Sequence, residues 1–111
     1  MPMPDPSQFF PEVNRVIHEP ARLAILTVLS ACRSADFVFI QRTTGLTKGN
    51  LSVQISRLEE AGLVTVEKRI KKKKTLTTIS LTRTTRGELA RYWRTLDQIR
   101  EQAIAGTMSF E

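Results

Sequence analysis

The chain has 111 residues, 41% of them hydrophobic, and 17 Lys and Arg against 11 Asp and Glu, a net charge of +6. That length makes one domain with a modest core, and the apolar content excludes a disordered tail. The positive balance suggests a polyanionic partner but is weak on its own. Its distribution says more, because Lys68, Arg69, Lys71, Lys72, Lys73 and Lys74 crowd into seven positions.

Residues 1–8 are proline-rich and are expected to form a loose or extended arm. Phe9, Phe10, Val13, Val16 and Ile17 then recur at helical spacing, which predicts a short leading helix with an apolar face. His18-Glu19-Pro20 breaks it, and Pro20, tolerated in a first turn, opens a nearly all-core helix over about 20–32. Cys32, at the end of that apolar run, reads as a buried structural thiol rather than a redox sensor. Arg33-Ser34-Ala35-Asp36 reads as a turn.

Run length does not settle strand against helix for Phe37-Val38-Phe39-Ile40. A short helix over about 37–43, stopped by Gly45, is preferred because Phe37 and Ile40 then share a face. The next segment, 46–62, has both ends marked: Thr47 is a good N-cap and Gly62 can take the left-handed conformation that closes a helix. Leu51, Ile55 and Leu58 form its apolar stripe. Gly49, Asn50, Val53, Ser56 and Arg57 fall opposite. This face of small and hydrogen-bonding groups suits a DNA major groove, and suits equally a plainly solvated surface. Two short helices joined by a tight turn containing Gly45 make a helix-turn-helix.

After Gly62 the period changes to two. Residues 63–70 alternate, with Val64, Val66 and Ile70 on one side, and residues 76–81 are rich in β-formers. The lysines between them make the tip of a β-hairpin, a wing that is costly to order without an anionic partner; the bland alternative is a solubilising loop. A long helix follows, capped at Thr82 or starting at Thr84, running to about Ala105 and stopping at Gly106. Leu89, Tyr92 or Trp93, Leu96, Ile99 and Ala103 alternate by three and four, the spacing of a pairing seam. We expect this helix to pair with the leading helix through Phe9, Phe10 and Val13, and with a second copy of itself. The alternative is that it folds back on its own domain.

This order resembles the winged-helix transcriptional regulators of MarR-like and ArsR-like type. The likeness rests on HEPARLAIL at 18–26, on LTKGNLS at 46–52 with LEEAGLV at 58–64, and on TISLT at 78–82; it extends over residues 13–92. The resemblance implies a mainly α winged helix-turn-helix with a small antiparallel β wing. It also implies a homodimer on a two-fold operator, and release by a signal. Two positions depart from the pattern. Thr85 stands where a glycine is usual, expected to alter only the start of the last helix. Four lysines replace the usual Arg or Gly at the wing tip, favouring phosphate contact over insertion into a narrow minor groove. The domain plan is an arm at 1–8, a winged helix DNA-binding domain with its leading helix at 9–83, and a dimerisation helix and tail at 84–111.

The expected function is therefore a sequence-specific double-stranded DNA-binding regulator, acting as a homodimeric repressor. Asn50, Ser52, Gln54, Ser56 and Arg57 are the candidate readers of base edges and nearby phosphates, with Arg57 and Asn50 foremost. Thr44, Thr47 and Lys48 at the helix N-terminus suit a phosphate. Arg69, Lys71, Lys72, Lys73 and Lys74 would hold the flanking backbone. The alternative is a winged helix that coats nucleic acid or docks proteins without an operator. One His and one Cys cannot make the usual zinc site, and no glycine-rich phosphate loop follows a strand, so neither an enzyme nor a cofactor or metal is expected. His18 is read as capping or packing. An unidentified small-molecule effector, if the chain has one, would sit near Trp93 and Phe10. The start lacks a secretory signal and no apolar run reaches the ~20 residues of a membrane span, so a cytoplasmic protein is expected.

Overall fold

The structure, a computed structural model, describes residues 15–108. The elements run α1 (Pro20–Ser30), β1 (Ala35–Asp36), α2 (Phe37–Thr44), α3 (Lys48–Glu60), β2 (Val64–Lys71), β3 (Lys74–Leu81) and α4 (Arg83–Met108). The predicted leading helix, with Phe9, Phe10 and Val13, lies outside the described residues except for its last three, which form a turn that buries Ile17.

Each helix is bounded by local chemistry. Glu19 caps α1 by accepting from the Arg22 N–H, with Pro20 in the first turn. Asp36 caps α2 through the Phe39 N–H, and Gly45 ends it at φ 75, a left-handed position that a side chain would strain. Thr47 caps α3 by accepting from the Asn50 N–H at 3.1 Å; past its end Gly62 sits at φ 77. Cys32 falls beyond the end of α1, half-buried rather than enclosed in the helix, and its carbonyl accepts from Arg86 at 2.8 Å.

The sheet is antiparallel in the order β1-β3-β2. Its third strand is a departure from the reading of 33–36 as a turn: Ala35 pairs with Ile79 and Asp36 with Thr78. β2 and β3 pair from Val64↔Leu81 out to Lys71↔Lys74, so only Lys72 and Lys73 make the turn. Both stand at positive φ, 50 and 62. The alternation of β2 is real, but only its root is covered: Val64 is buried, Val66 half-buried and Ile70 83% exposed.

One core joins Ile25, Leu26 and Leu29 of α1, Ile40 of α2, Leu51, Ile55 and Leu58 of α3, the sheet root at Val64, Ile79 and Leu81, and Leu89 and Tyr92 of α4. The last two were expected on a pairing seam. The first half of α4 instead packs on its own domain, with Leu96 against the same core. The helix also does not stop at Gly106 but continues to Met108. An interior glycine costs only about 1 kcal/mol, so it ends a helix only where the chain has reason to turn.

Thr85 is fully buried, and its reach is wider than the start of α4. Its hydroxyl donates to the Leu63 carbonyl at 2.8 Å and lies 2.6 Å from the Thr82 hydroxyl, which also lies 3.1 Å from the Gly62 carbonyl. The long helix is thereby tied to the root of the wing.

Candidate nucleic-acid interface

The interface is built from the outside of α3 and the hairpin beyond it. Burial of Leu51, Ile55 and Leu58 turns the opposite side of α3 to solvent, and Lys48, Gly49, Asn50, Ser52, Val53, Ser56 and Arg57 are all exposed. Helical spacing sorts them into two flanks around Gly49 and Val53. Lys48, Ser52 and Ser56 line an open groove of about 870 Å³ between α3, the start of α2 and the hairpin, whose far wall includes Lys68 and Leu76. Asn50 and Arg57 lie on the other flank, toward α1.

Gln54 is a correction. It was placed among the outward readers, but it is 8% exposed, on the buried side of α3. It accepts from Arg22 Nη1 at 3.1 Å and donates from Nε2 to Asn50 Oδ1 at 3.1 Å. Helical spacing alone places it there, three residues after Leu51 and four before Leu58; what α3 alone does not show is the partner, Arg22 on α1. Thr44 is a second correction. It is the last residue of α2 rather than part of the α3 N-terminus, and its hydroxyl donates to the Ile40 carbonyl at 2.7 Å. Thr47 and Lys48 do stand at that N-terminus, where unpaired N–H groups and the helix dipole favour an anion.

Charge is arranged in two layers. At the base of the α1 flank, burial pushes the Glu19 carboxyl upward. The Arg22 and Ala21 N–H groups, with the charges of Arg22 and Arg57, outweigh it and hold the pKa below its ordinary value. Glu19 thus sits within the field of Arg57. Farther out, Lys71, Lys72, Lys73 and Lys74 are exposed at the hairpin tip. Arg69 differs from them: its Nη2 and Nε donate to one Glu67 oxygen at 2.8 and 3.0 Å. That exposed pair is worth little in stability, but it directs the guanidinium along the strand.

Sequence reasoning passed over two residues. Val53, 48% exposed at the middle of the outer face, can offer methyl groups to a thymine methyl; its signal was a β-branched side chain where a solvated face would carry a polar one. Arg22 was hidden in an apolar helix, and an arginine there is itself a sign of a buried partner.

The remaining candidates lie on α4 or beside it. Trp93 is 41% exposed and Tyr92 is buried, which settles which of the two faces the domain. Tyr92 lies 3.0 Å from His18 Nδ1, a packing role for the histidine. Burial raises the Tyr92 pKa. Ile99 is half-buried, Ala103 exposed and Ile104 52% exposed; a shallow hollow of about 290 Å³ runs past Arg100, Ala103, Ile104 and Thr107. The 870 Å³ groove lies against α3, away from Trp93 where an effector pocket was expected. Among the described residues no three His, Cys, Asp or Glu side chains group as metal ligands would, and no helix is long and apolar enough to cross a membrane.

Comparison with known proteins bears on this arrangement. Residues 21–100 match the family described as winged helix DNA-binding domain. Among solved structures, the chain is similar to a transcriptional regulator homologue from Pyrococcus horikoshii OT3, with 28% identity and a TM-score of 0.79 over 89% of this chain and 98% of that one. It also shares the fold of Rv0081 from M. tuberculosis, at 22% identity and TM-score 0.72 over 92% and 99% of the two chains. A third likeness is to BpsR of Bordetella bronchiseptica, whose DNA binding is regulated by 6-hydroxynicotinic acid. That match has 17% identity and TM-score 0.67 over 88% and 74% of the two chains. No curated protein matches the sequence. The helix-turn-helix of α2 and α3, the β2–β3 wing and the matched span together establish that this chain belongs to the winged helix DNA-binding domain family, with the fold of the MarR-like transcriptional regulators.

Proposed function

We propose that the chain is a sequence-specific regulator that binds double-stranded DNA as a homodimer and represses by occupying a promoter. The observation that carries the reading is the exposed face of α3, small and polar around Gly49 and Val53, set beside a hairpin tip of four exposed lysines. In this reading α3 enters the major groove. Asn50 and Arg57 read base edges, with Ser52 and Ser56 at bases or nearby phosphates. Thr47 and Lys48 take a phosphate at the helix N-terminus. Arg69 and Lys71 to Lys74 hold the flanking backbone, supplying affinity without sequence information.

Dimerisation is assigned to the exposed side of α4 from Trp93 outward. Leu89 and Tyr92 belong to the domain core, so the seam is carried by Trp93, Ile99, Ala103 and the adjacent Ile104. A helix of 26 residues is about 39 Å long, far more than this domain can cover. Two-fold pairing there would set two copies of α3 into major grooves about one helical turn apart. In this reading the winged helix body takes in the start of α4 through Leu89 and Tyr92, and pairing is left to the part of that helix the core does not cover. An effector is supported by the regulation of BpsR, which shares this fold at low identity.

Selection from a random pool of DNA duplexes, with sequencing of the bound fraction and the mass of the complex measured in parallel, tests the reading. Enrichment of a short inverted repeat by two chains supports it. Tight binding with no enriched site would replace it with a coating or architectural role.

A further inference from the structure

The hydrogen bonds that end on Asn50 run in one direction, fixed by chemistry. A guanidinium has five N–H donors and no acceptor. Arg22 can therefore only donate, and its Nη1 lies 3.1 Å from the Gln54 amide oxygen. With that oxygen turned to Arg22, Gln54 has only its NH₂ to offer on the other side, and Nε2 donates to Asn50 Oδ1. The Asn50 oxygen is thus held inward and its NH₂ faces out. Arg22 is itself fixed: Nε donates to the Val16 carbonyl at 2.6 Å, and its guanidinium lies 3.9 Å from the Glu19 carboxylate that caps the helix. The Arg22 side chain is 15% exposed and Gln54 8%, while Asn50 is exposed in the first turn of α3. A polarity set in the interior is delivered to the surface.

We infer that Arg22 and Gln54 are positioning residues that make Asn50 a hydrogen-bond donor toward DNA, so that on the strand it faces it accepts guanine, adenine or thymine and rejects cytosine. This rests on α3 being the recognition helix. Guanine offers N7 and O6, adenine N7 and thymine O4 as major-groove acceptors, whereas cytosine presents only its N4 amine donor. The bidentate adenine contact expected of a free asparagine is not the main outcome, because one side of the Asn50 amide is already engaged by Gln54.

Gln54→Glu tests this with a side chain of the same shape. A carboxylate still pairs with Arg22 but can only accept. Asn50 must then turn its NH₂ inward to donate, and its Oδ1 faces out to meet the amine of cytosine or adenine. The experiment sequences the bound fraction of a random duplex pool for the wild type, Asn50→Ala, Gln54→Glu, Arg22→Lys and Arg22→Met, with melting midpoints alongside. In the wild type one position per half-site is depleted of cytosine about tenfold or more. Asn50→Ala flattens that position alone. Gln54→Glu turns the same position toward cytosine or adenine and leaves the others unchanged, even where the added charge weakens all binding. Arg22→Lys, still only a donor, keeps the wild-type preference. Arg22→Met frees the Gln54 amide to turn over and relaxes the preference, and it serves as the test should Gln54→Glu not fold.

A purely structural role for these residues would lower the melting midpoint and all affinities together without moving any base preference, and that result overturns the inference. So does a position that Asn50→Ala flattens but that neither Gln54→Glu nor Arg22→Met alters; α3 would remain the reader. A wild type that enriches no sequence at all fails at the earlier step, and the recognition-helix reading falls with it.

Discussion

Replacing Lys71, Lys72, Lys73 and Lys74 by alanine should change how DNA binding responds to salt more than it changes which DNA is bound. Each phosphate neutralised releases counterions and contributes about 0.9 to the slope of log K against log salt. If all four lysines in both wings of a dimer engaged, the slope would fall by about 7 on their removal. Lys71 and Lys74 face each other across the last rung of the hairpin, so crowding limits the count. Two contacts per wing give a fall of about 3.6. Between 50 and 200 mM salt, that difference narrows the affinity gap between wild type and variant by about 10² to 10⁴ across the two estimates. The turn supplies an internal control. Lys72 and Lys73 occupy left-handed backbone, costing about 1–2 kcal/mol each, in a two-residue hairpin turn that prefers Asn-Gly. Lys72→Asn with Lys73→Gly should therefore raise the stability of the free protein while lowering the salt slope. The assay is fluorescence anisotropy with one duplex over a salt series. A slope within one unit of wild type for the four-alanine variant would refute the wing as a phosphate clamp.

Three further outcomes are expected. Thr85→Val keeps the volume but removes the buried hydroxyl that donates to the Leu63 carbonyl; that carbonyl still accepts from the Thr82 N–H, so chemical denaturation should show a loss of only about 1 kcal/mol, and no loss would mean the tie is idle. Glu19 has a folded-state pKa below its ordinary 4.5, so its contribution to stability is present above that pH and is lost as pH falls through the folded value. Melting midpoints of Glu19→Gln should decline less than wild type below about pH 4.5, and parallel curves would contradict this. Ile104→Glu, at a position 52% exposed in the single chain, should yield a monomer in sedimentation without lowering the far-UV helix signal; an intact dimer would place the seam elsewhere.

What the sequence made legible were features with strong local signatures. The Thr47 cap, the helix stop at Gly45, the left-handed Gly62, and the change from helical to alternating period at residue 63 each depend on a few adjacent residues, and the structure carries all of them. What it concealed depends on contacts between distant segments. β1 is two residues long, too short for any alternation to register, and is defined only by its pairing with β3. Gln54 was readable from its spacing to Leu51 and Leu58, but the Arg22 that engages it is brought beside it only by the packing of α1 on α3. The spacing of Leu89, Tyr92 and Leu96 is the same whether a helix pairs with its own domain or with another copy, and burial alone assigned these residues to the domain. Gly106 shows the limit of a stop signal, since an interior glycine costs only about 1 kcal/mol and α4 continues through it to Met108.

The central claim, that α3 reads sequence, is tested most directly by the ratio of affinities for a selected duplex and a scrambled duplex of equal length at one physiological salt concentration. A reader of base edges should favour the selected duplex by about 10³ or more. A ratio near one would show that only the phosphate backbone is bound, and would contradict the account.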